Sequence, residues 1–288
     1  MSRPAGSEDV GVITTSASPP EQVTRIAIVG ATPVNIVEKS FWENDFYWAN
    51  AKLPCRVDME FSFDRSLARG LAGHAPATAG ESVLEIGCAP AKWLIFYAER
   101  FGARVSGIEY SDKGARLSRE NLAAAGVQGE VHASDFFEVE PHPHDLVLSS
   151  GFIEHFDEPA RVLARHLDFI APGGRLAVGV PNFRGLNGLV QRLARPDYLA
   201  IHNTAAMRPA LYRRFAQANK LELLHLGYLG GFDPSIIALS RGSLLSPRRA
   251  IPGAITLLEG RFRALDVADH LEHRWLSSYL LAVYRLAR

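Results

Sequence analysis

The stretch Ser82–Trp93 has the residue types of a ligand-binding loop. It reads S-V-L-E-I-G-C-A-P-A-K-W, so an apolar run of strand character, Val83–Ile86, leads through Gly87 and small residues into a run able to begin a helix. Only a residue without a Cβ lets the backbone turn sharply and approach a ligand closely, which is the use we infer for Gly87. The pattern predicts the first strand, loop and helix of a doubly wound α/β sheet, with a ligand at the loop.

An acidic residue at the end of a second predicted strand indicates what the ligand carries. Residues Arg104–Tyr110 read R-V-S-G-I-E-Y, and Glu109 follows Gly87 by 22 positions. About 20 residues is the spacing at which such an acid accepts hydrogen bonds from ribose hydroxyls. Pro90 removes one N–H donor where phosphate oxygens would need it, and two glycines of a dinucleotide-binding loop are missing. The sequence therefore favours a phosphate-free nucleoside and disfavours an NAD-dependent oxidoreductase.

The string E-I-G-C-A-P-A-K-W at 85–93 resembles motif I of the class I S-adenosylmethionine-dependent methyltransferases, whose pattern is E/D-x-G-x-G-x-G. Ala89 and Ala91 stand where that pattern has its second and third glycines. The resemblance implies S-adenosyl-L-methionine as the cofactor and a Rossmann-like sheet of seven strands, mostly parallel with an antiparallel last strand. It also implies cofactor contacts from Glu85, Gly87, Cys88, Ala89, Glu109 and Tyr110.

The third and fourth predicted strands end in further motifs of this family. Gly129–Ala133 is followed by S-D-F-F, which resembles motif II, where an acid accepts from the adenine N6 amine and the next residue packs on the ring. Carried over, these residues are Asp135 and Phe136; the alternative is that Asp135 simply caps a turn. His144–Ser150 reads as the fourth strand. Because ligands bind at the carboxyl ends of strands in such a sheet, we expect Ser150 beside the methionine part of the cofactor.

Two later sequence motifs resemble those of one group of methyltransferases, which act on small molecules. I-E-H-F-D-E-P at 153–159 resembles the E-H-x-x-D-P stretch of small-molecule methyltransferases, including ubiquinone-biosynthesis O-methyltransferases, and the run at 167–182 resembles their P-G-G…P-N pattern. Some relatives, the small-RNA 2'-O-methyltransferases, hold a divalent metal with E-x-x-E-H. Gly151 replaces the first glutamate here and leaves only Glu154 and His155. A metal site needs more ligands than that, so we predict none.

Two histidines are the candidate catalytic residues. Methyl transfer from a sulfonium is an in-line displacement, so positioning of the acceptor can carry much of the rate. A hydroxyl acceptor would also need a general base, and an unperturbed histidine has a pKa of about 6.5. The candidates are His155, after the fourth strand, and His202, in a later insertion. Alternatively His155 holds a loop through its ring nitrogens, and an amine or carbon acceptor needs neither residue.

Composition limits the partners and the compartment. Hydrophobic residues make up 47% and charged residues 22% of the 288 residues, as is typical of a globular protein, and no apolar run approaches the roughly 18 residues of a membrane span. The formal net charge is zero, whereas proteins that hold nucleic acid usually carry a basic excess. We therefore expect neither a membrane span nor a nucleic-acid partner. The only cysteines, Cys55 and Cys88, are too few for a disulfide framework, which favours a reducing, cytoplasmic setting.

The chain divides into three predicted parts, which are a disordered tail at 1–24, a lid with lead-in helices at 25–80, and the methyltransferase domain at 81–288. Phe41–Asn50 carries five aromatic residues in ten positions, which suits either a lid over the cofactor or ordinary packing of a helix on the core. Substrate-side insertions are expected at about 183–205 and 232–276. In the first of these, apolar residues recur at helical spacing, at Leu186, Leu189, Val190 and Leu193.

The sequence thus predicts a methyltransferase that moves a methyl group from S-adenosylmethionine to an oxygen, nitrogen or carbon atom of a small molecule. Three alternatives stay open at this point. G-C-A-P-A-K-W faintly resembles a motif of rRNA 2'-O-methyltransferases, which favours an RNA substrate. Alanine in place of glycine twice in the loop would also suit a cofactor-binding protein without catalysis. The oligomeric state, a monomer or a homodimer, is likewise open.

Overall fold

The computed structural model describes residues 32–44, 52–194, 196–231 and 272–287. The tail predicted at 1–24 and most of the insertion predicted at 232–276 lie outside these residues.

One mixed sheet organises the described chain. Its strands are β1 (Ser82–Ile86), β2 (Arg104–Glu109), β3 (Gly129–Ala133), β4 (His144–Ser150), β5 (Ile170–Pro181), β6 (Glu222–Leu229) and β7 (Tyr279–Arg285). Their order across the sheet is β3-β2-β1-β4-β5-β7-β6. β1 to β5 pair in parallel, and β7 is antiparallel to both β5 and β6. The predicted Rossmann-like sheet is confirmed, and its order reverses between β1 and β4, where ligands bind in folds of this kind.

Helices pack on both faces of this sheet. In chain order they are α1 (Lys39–Trp42), α2 (Ser62–His74), α3 (Lys92–Phe101), α4 (Asp112–Ala125), α5 (Pro159–His166), α6 (Leu186–Ala194), α7 (Pro196–Ala200) and α8 (Pro209–Ala218). The sequence predicts a helix at Asp112–Ala125 with Ser111 as its N-cap and Gly126 at its end. The structure has both features in α4, since Ser111 Oγ accepts from the Gly114 N–H at 2.9 Å and Gly126, at φ +72°, ends the helix. Among the described helices, none combines the length and the apolar character needed to cross a membrane.

The side chains of β1 point alternately to the two faces of the sheet, and the core accordingly has two layers. Leu84 and Ile86 pack into one buried apolar cluster, and Val83 packs into the other on the opposite face. β1 pairs with a strand on each side, and Val83–Ile86 are buried on both faces, as is usual for a parallel sheet that is covered by helices. The carboxyl end of β1 is therefore held rigidly at the centre of the sheet, where the loop at Gly87 begins.

The connection from α5 into β5 differs from its predicted form. The sequence favours a helix to Ile170 and a turn at Ala171–Gly174, whereas α5 ends at His166 and β5 already begins at Ile170. Pairing with β4 shifts register between His144 and Leu146. A Cβ at Gly174 would lie 3.0 Å from His144 O. Glycine thus permits the close backbone approach that lets β5 continue where a turn was expected.

Candidate functional site

The loop after β1 makes its sharp bend at Gly87. This residue has φ +71°, and its N–H donates to Ile108 O on β2 at 2.8 Å. A Cβ there would lie 2.8 Å from Cδ2 of Phe152, so the position is restricted by both backbone and space. Ala91 also adopts a left-handed conformation, at φ +68°, directly before α3. The loop therefore keeps its left-handed bend at Ala91 even though a family glycine is replaced there.

Gly87 lies between two cavities at the carboxyl edge of the sheet. The β3-side cavity has a volume of about 240 Å³ and is lined by residues that include Gly87, Tyr110, Asp135, Phe136 and Phe152. The β5-side cavity has a volume of about 370 Å³ and lies beyond Gly87, toward β4 and β5. Among its lining residues are Trp42, Glu85, Gly87, Cys88, Ala89, Ser150, Glu154, His155, Gln191, Tyr198, His202 and Tyr279. One glycine thus borders both spaces.

Asp135 both caps a turn and lines the β3-side cavity. Its Oδ1 accepts from the Phe137 N–H at 2.9 Å, while no described residue bonds its other oxygen. Phe136 is 3% exposed and stacks on Phe169 with ring centroids 5.4 Å apart. The two readings of Asp135 are therefore compatible, because one oxygen holds the turn and the other is left for a ligand amine.

Glu109 stands apart from both cavities. Its Oε1 accepts from the Ser111 N–H at 2.9 Å and its Oε2 from the Ala89 N–H at 3.1 Å. Burial raises the pKa of this carboxyl, while these backbone donors oppose the shift. Glu109 thus braces the loop at Ala89 in the described structure. Its predicted contact with a ribose stays a prediction.

Ser150 joins β4 to β7 inside the β5-side cavity. Its hydroxyl lies 2.6 Å from the hydroxyl of Tyr279, which begins the antiparallel last strand. Glu85, on β1, is 2% exposed and has its Oε2 without a hydrogen-bond partner among the described residues. Burial raises the pKa of Glu85 well above its ordinary value. The floor of this cavity therefore contains hydrogen-bonding groups that the protein only partly satisfies.

The two candidate catalytic histidines lie side by side in the β5-side cavity. Their ring centroids are 4.8 Å apart, although 47 positions separate them in the chain. Asn203 brings them together, since its N–H donates to Glu154 O at 2.6 Å and its amide donates to Phe156 O at 2.9 Å. The segment after α7 is thereby fixed against the turn that follows β4.

Hydrogen bonds define the tautomer of both rings. His155 Nδ1 lies 2.9 Å from Ile201 O, and His202 Nδ1 lies 2.7 Å from Tyr198 O. A carbonyl only accepts, so each Nδ1 carries the proton and each Nε2 presents a lone pair when the ring is neutral. Burial lowers the pKa of His155 to about 3, helped by His202, and lowers the pKa of His202 to about 4. The value of about 6.5 that favoured a general base does not hold here, because both rings are desolvated.

The first insertion forms a wall of the cavity with its polar residues. Leu186, Leu189 and Leu193 on α6 are between 39% and 62% exposed. On the opposite face of the helix, Asn187 and Gln191 are buried, and Gln191 lines the β5-side cavity. The leucine spacing correctly predicts a helix, whereas the residue of α6 that lines the cavity is Gln191, an amide between the leucines.

The N-terminal segment crosses the edge of the sheet above both cavities. Ile36 N–H donates to His155 O at 2.8 Å, beside a bridge that pairs Asn35 with Phe156. At the other end of this segment, Trp42 O accepts from Ser111 Oγ at 3.3 Å, and Trp42 lines the β5-side cavity. The parts of the predicted lid at residues 25–31 and 45–51 lie outside the described chain. The described part joins the ends of β2 and β4.

A larger cavity lies at the opposite edge of the sheet. It has a volume of about 720 Å³ and is lined by residues that include Ser82, Arg104, Ser106 and His144. These residues stand at or near the amino ends of β1, β2 and β4. Ligands of open α/β sheets bind at the carboxyl ends, so we assign the site to the two smaller cavities.

Comparison with known proteins identifies the central part of the chain. Residues 83–174 match the family model described as a methyltransferase domain. A ubiquinone biosynthesis O-methyltransferase of Thiobacillus denitrificans is 33% identical over 99 residues, which cover 33% of this chain and 42% of that protein. A trans-aconitate 2-methyltransferase of Paracidovorax citrulli is 29% identical over 146 residues, which cover 49% of this chain and 51% of that protein. The matches thus span about half or less of these curated relatives.

A solved structure extends the likeness to about three quarters of the chain. Geranyl diphosphate C-methyltransferase from Streptomyces coelicolor, in complex with Mg²⁺, geranyl diphosphate and S-adenosyl-L-homocysteine, matches with a TM-score of 0.52 at 15% identity. The match covers 76% of this chain and 78% of that chain, and at this identity it shows the fold alone. Residues 83–174 thus match a methyltransferase domain, and the strand order is that of a Rossmann-like fold.

Proposed function

We propose that the protein is an S-adenosylmethionine-dependent methyltransferase that methylates a small molecule and releases S-adenosylhomocysteine. The observation that carries this proposal is the position of Gly87 between two cavities of different chemistry. One cavity offers an aromatic surface and a free carboxylate oxygen, which suit adenine and its exocyclic amine. The other offers hydroxyl, amide and imidazole groups. The sulfonium then lies at the junction, with its methyl group directed into the β5-side cavity.

The reaction is a single displacement at the methyl carbon. An electron pair of the acceptor, which is a lone pair on oxygen or nitrogen or a π or carbanion pair on carbon, forms the new bond to the methyl carbon while the C–S bond breaks. The electron pair of that bond returns to sulfur, which loses its positive charge, and the acceptor proton passes to solvent. The protein contributes chiefly by holding the acceptor in line with the C–S bond, since orientation alone can supply a large share of the rate enhancement.

An oxygen acceptor has the support of one curated relative, which is an O-methyltransferase by name. A net charge of zero and the mixed aromatic and polar lining of the β5-side cavity support a small organic molecule over RNA. The location in the cytoplasm and the homodimer remain predictions.

The proposal is tested by calorimetric titration with S-adenosylhomocysteine and, separately, with NADH. We expect one molecule of S-adenosylhomocysteine bound per chain and no heat from NADH. Transfer of labelled methyl groups is then measured over a panel of hydroxyl, carboxylate and amine compounds and structured RNA. Binding of NADH alone would favour an oxidoreductase. Cofactor binding with no transfer to any acceptor would favour a binding protein without catalysis.

A further inference from the structure

Glu154, His155 and His202 form a buried cluster in the β5-side cavity, which we call the His–Glu cluster. One possible ligand atom from each residue lies within 4.8 Å of the other two. All three residues are buried, at 1%, 7% and 7% exposure. Such a triad of one carboxylate and two imidazoles is a donor set that binds zinc at catalytic sites.

Each histidine of the cluster is already oriented as a metal ligand. The Nδ1 atoms donate to the backbone carbonyls of Ile201 and Tyr198, so the two Nε2 atoms are the ones left with lone pairs. A hydrogen bond from the second ring nitrogen to a backbone carbonyl is the arrangement that fixes the tautomer of metal-bound histidines. The rings are therefore set to ligate through Nε2 without any change of tautomer.

Among the residues that the structure describes, no positively charged side chain pairs with the carboxylate of Glu154 to explain its burial. Its Oε2 is buried with no hydrogen-bond partner among the described residues, and its Oε1 lies 4.0 Å from His155 Nε2. A neutral imidazole whose Nε2 carries no proton cannot donate to that oxygen. An unpaired buried carboxylate is costly in a low-dielectric interior, whereas a cation at this point would compensate it.

We propose that Glu154, His155 and His202 bind one divalent transition-metal ion of the Zn²⁺ type, with an open coordination position directed into the β5-side cavity. Zinc bonds to nitrogen and oxygen ligands of about 2.0–2.2 Å place neighbouring ligand atoms about 3.4 Å apart in a tetrahedron. The ligand atoms, which lie within 4.8 Å of one another, thus need to approach by at most about 1.4 Å. Two nitrogen donors favour such an ion over Mg²⁺ or Ca²⁺, which prefer oxygen ligands.

The role of the ion rests on the proposed function. An acceptor hydroxyl bound at the open position would lose its proton to solvent more easily, because a metal ion lowers the pKa of an oxygen that it binds. That oxygen would then form the O–C bond while the C–S pair returns to sulfur. The prediction of no metal site counted only Glu154 and His155, whereas the fold adds His202 from a segment distant in sequence.

Binding is measured on tag-free protein by Zn²⁺ titration in competition with a chromophoric chelator, and by the visible absorption of added Co²⁺. We expect one ion per chain, no competition by millimolar Mg²⁺, and a loss of affinity of at least about 100-fold in both Glu154→Gln and His202→Ala. His225→Ala is the matched control. His225 is also a histidine with a pKa lowered by burial, to about 4, and with an unpartnered Nε2, but it lines neither cavity of the site.

Wild-type protein that binds no Zn²⁺, or affinity that is lost in His225→Ala and kept in both cluster variants, would overturn the metal site. His202→Gln replaces His202→Ala should the latter fail to fold, as judged by thermal melting. S-adenosylhomocysteine is titrated into the same preparations to separate the two proposals. Cofactor binding without Zn²⁺ binding overturns the metal site alone, and Zn²⁺ binding without cofactor binding overturns the methyltransferase assignment alone.

Discussion

The two cavities that meet at Gly87 are built from different kinds of chain segment. The β3-side cavity takes Gly87, Tyr110 and Asp135 from positions one or two residues after β1, β2 and β3. The β5-side cavity instead adds Trp42, Gln191 and His202, from segments far apart in the sequence and outside the sheet, to strand residues. The strand ends thus supply much of the cofactor side of the site, while the acceptor side also depends on segments added to the sheet. A change on one side should therefore leave the function of the other side largely intact.

The most disruptive single change is expected at the junction. Gly87→Ala would place a Cβ 2.8 Å from Phe152 in a backbone conformation that already disfavours it, and the ring would be driven into the β3-side cavity. We expect S-adenosylhomocysteine to bind about 100-fold more weakly by calorimetry, a loss of about 2.7 kcal/mol. Gly80→Ala is the control, because Gly80 has φ +82° and open space around it. Equal effects of the two changes would mean that backbone strain alone, rather than the junction, matters.

A smaller loss is expected from a change confined to the β3-side cavity. In Asp135→Asn, the amide oxygen must stay on the Phe137 N–H, so the amide nitrogen takes the place of the free acceptor. We expect about 10-fold weaker binding of S-adenosylhomocysteine and little change for the inosine analogue, which has a carbonyl in place of the amine. The ratio of the two dissociation constants is the measurement. An unchanged ratio would remove Asp135 from adenine recognition.

On the acceptor side, removing a binding group should stabilise the protein. Gln191 Oε1 and Asn187 Oδ1 are both buried without a hydrogen-bond partner among the described residues. Gln191→Leu should raise the free energy of unfolding in urea by about 1 kcal/mol, since an unsatisfied polar atom is removed. Asn187→Leu is the contrast and should destabilise, because Asn187 Nδ2 donates to Leu276 O and Ser277 O. A stability loss in Gln191→Leu would show that this amide is structural.

The N-terminal segment spans both cavities, and loosening it should change rates more than affinity. Ile36→Pro removes the N–H that donates to His155 O, whereas Ile36→Ala keeps it and serves as the control. We expect bound S-adenosylhomocysteine to dissociate about threefold faster from the proline variant than from the alanine variant in stopped-flow measurements, a difference of about 0.6 kcal/mol. Equal rates would mean that residues 32–44 do not act as a lid.

The smallest effect is expected at the amino edge of the sheet. Ser106 lines the larger cavity there and contacts His144 at 3.2 Å. Ser106→Ala should leave the dissociation constant of S-adenosylhomocysteine within about twofold of wild type, since ligands of this fold bind at the other edge. A clear loss of affinity would reverse our assignment of the site to the two smaller cavities.

The two cavities also differ in how much of each can be predicted from the sequence. The bend at Gly87, the cap at Ser111 and the acid at Asp135 depend on a few neighbouring residues and on strand ends, and their patterns are visible in the chain. The juxtaposition of His155 with His202 depends on Asn203 holding a distant segment, which no local pattern encodes.

Burial is the second property that the spacing of residues in the sequence does not predict. The leucine stripe of α6 predicts a helix correctly, but it does not tell which face meets the site, and the buried face carries Asn187 and Gln191. Desolvation likewise lowers the pKa of His155 and His202 far below the value for a free histidine. These shifts follow from packing and so could be read only from the structure.

A crystal structure with S-adenosylhomocysteine tests the central claim most directly, that two cavities joined at Gly87 form one cofactor and acceptor site. We predict the adenine against Phe136 with its amine at Asp135, and the sulfur beside Gly87 with its open side toward the His–Glu cluster. A ligand seated wholly in the β5-side cavity, or in the cavity near Ser106, would contradict the account.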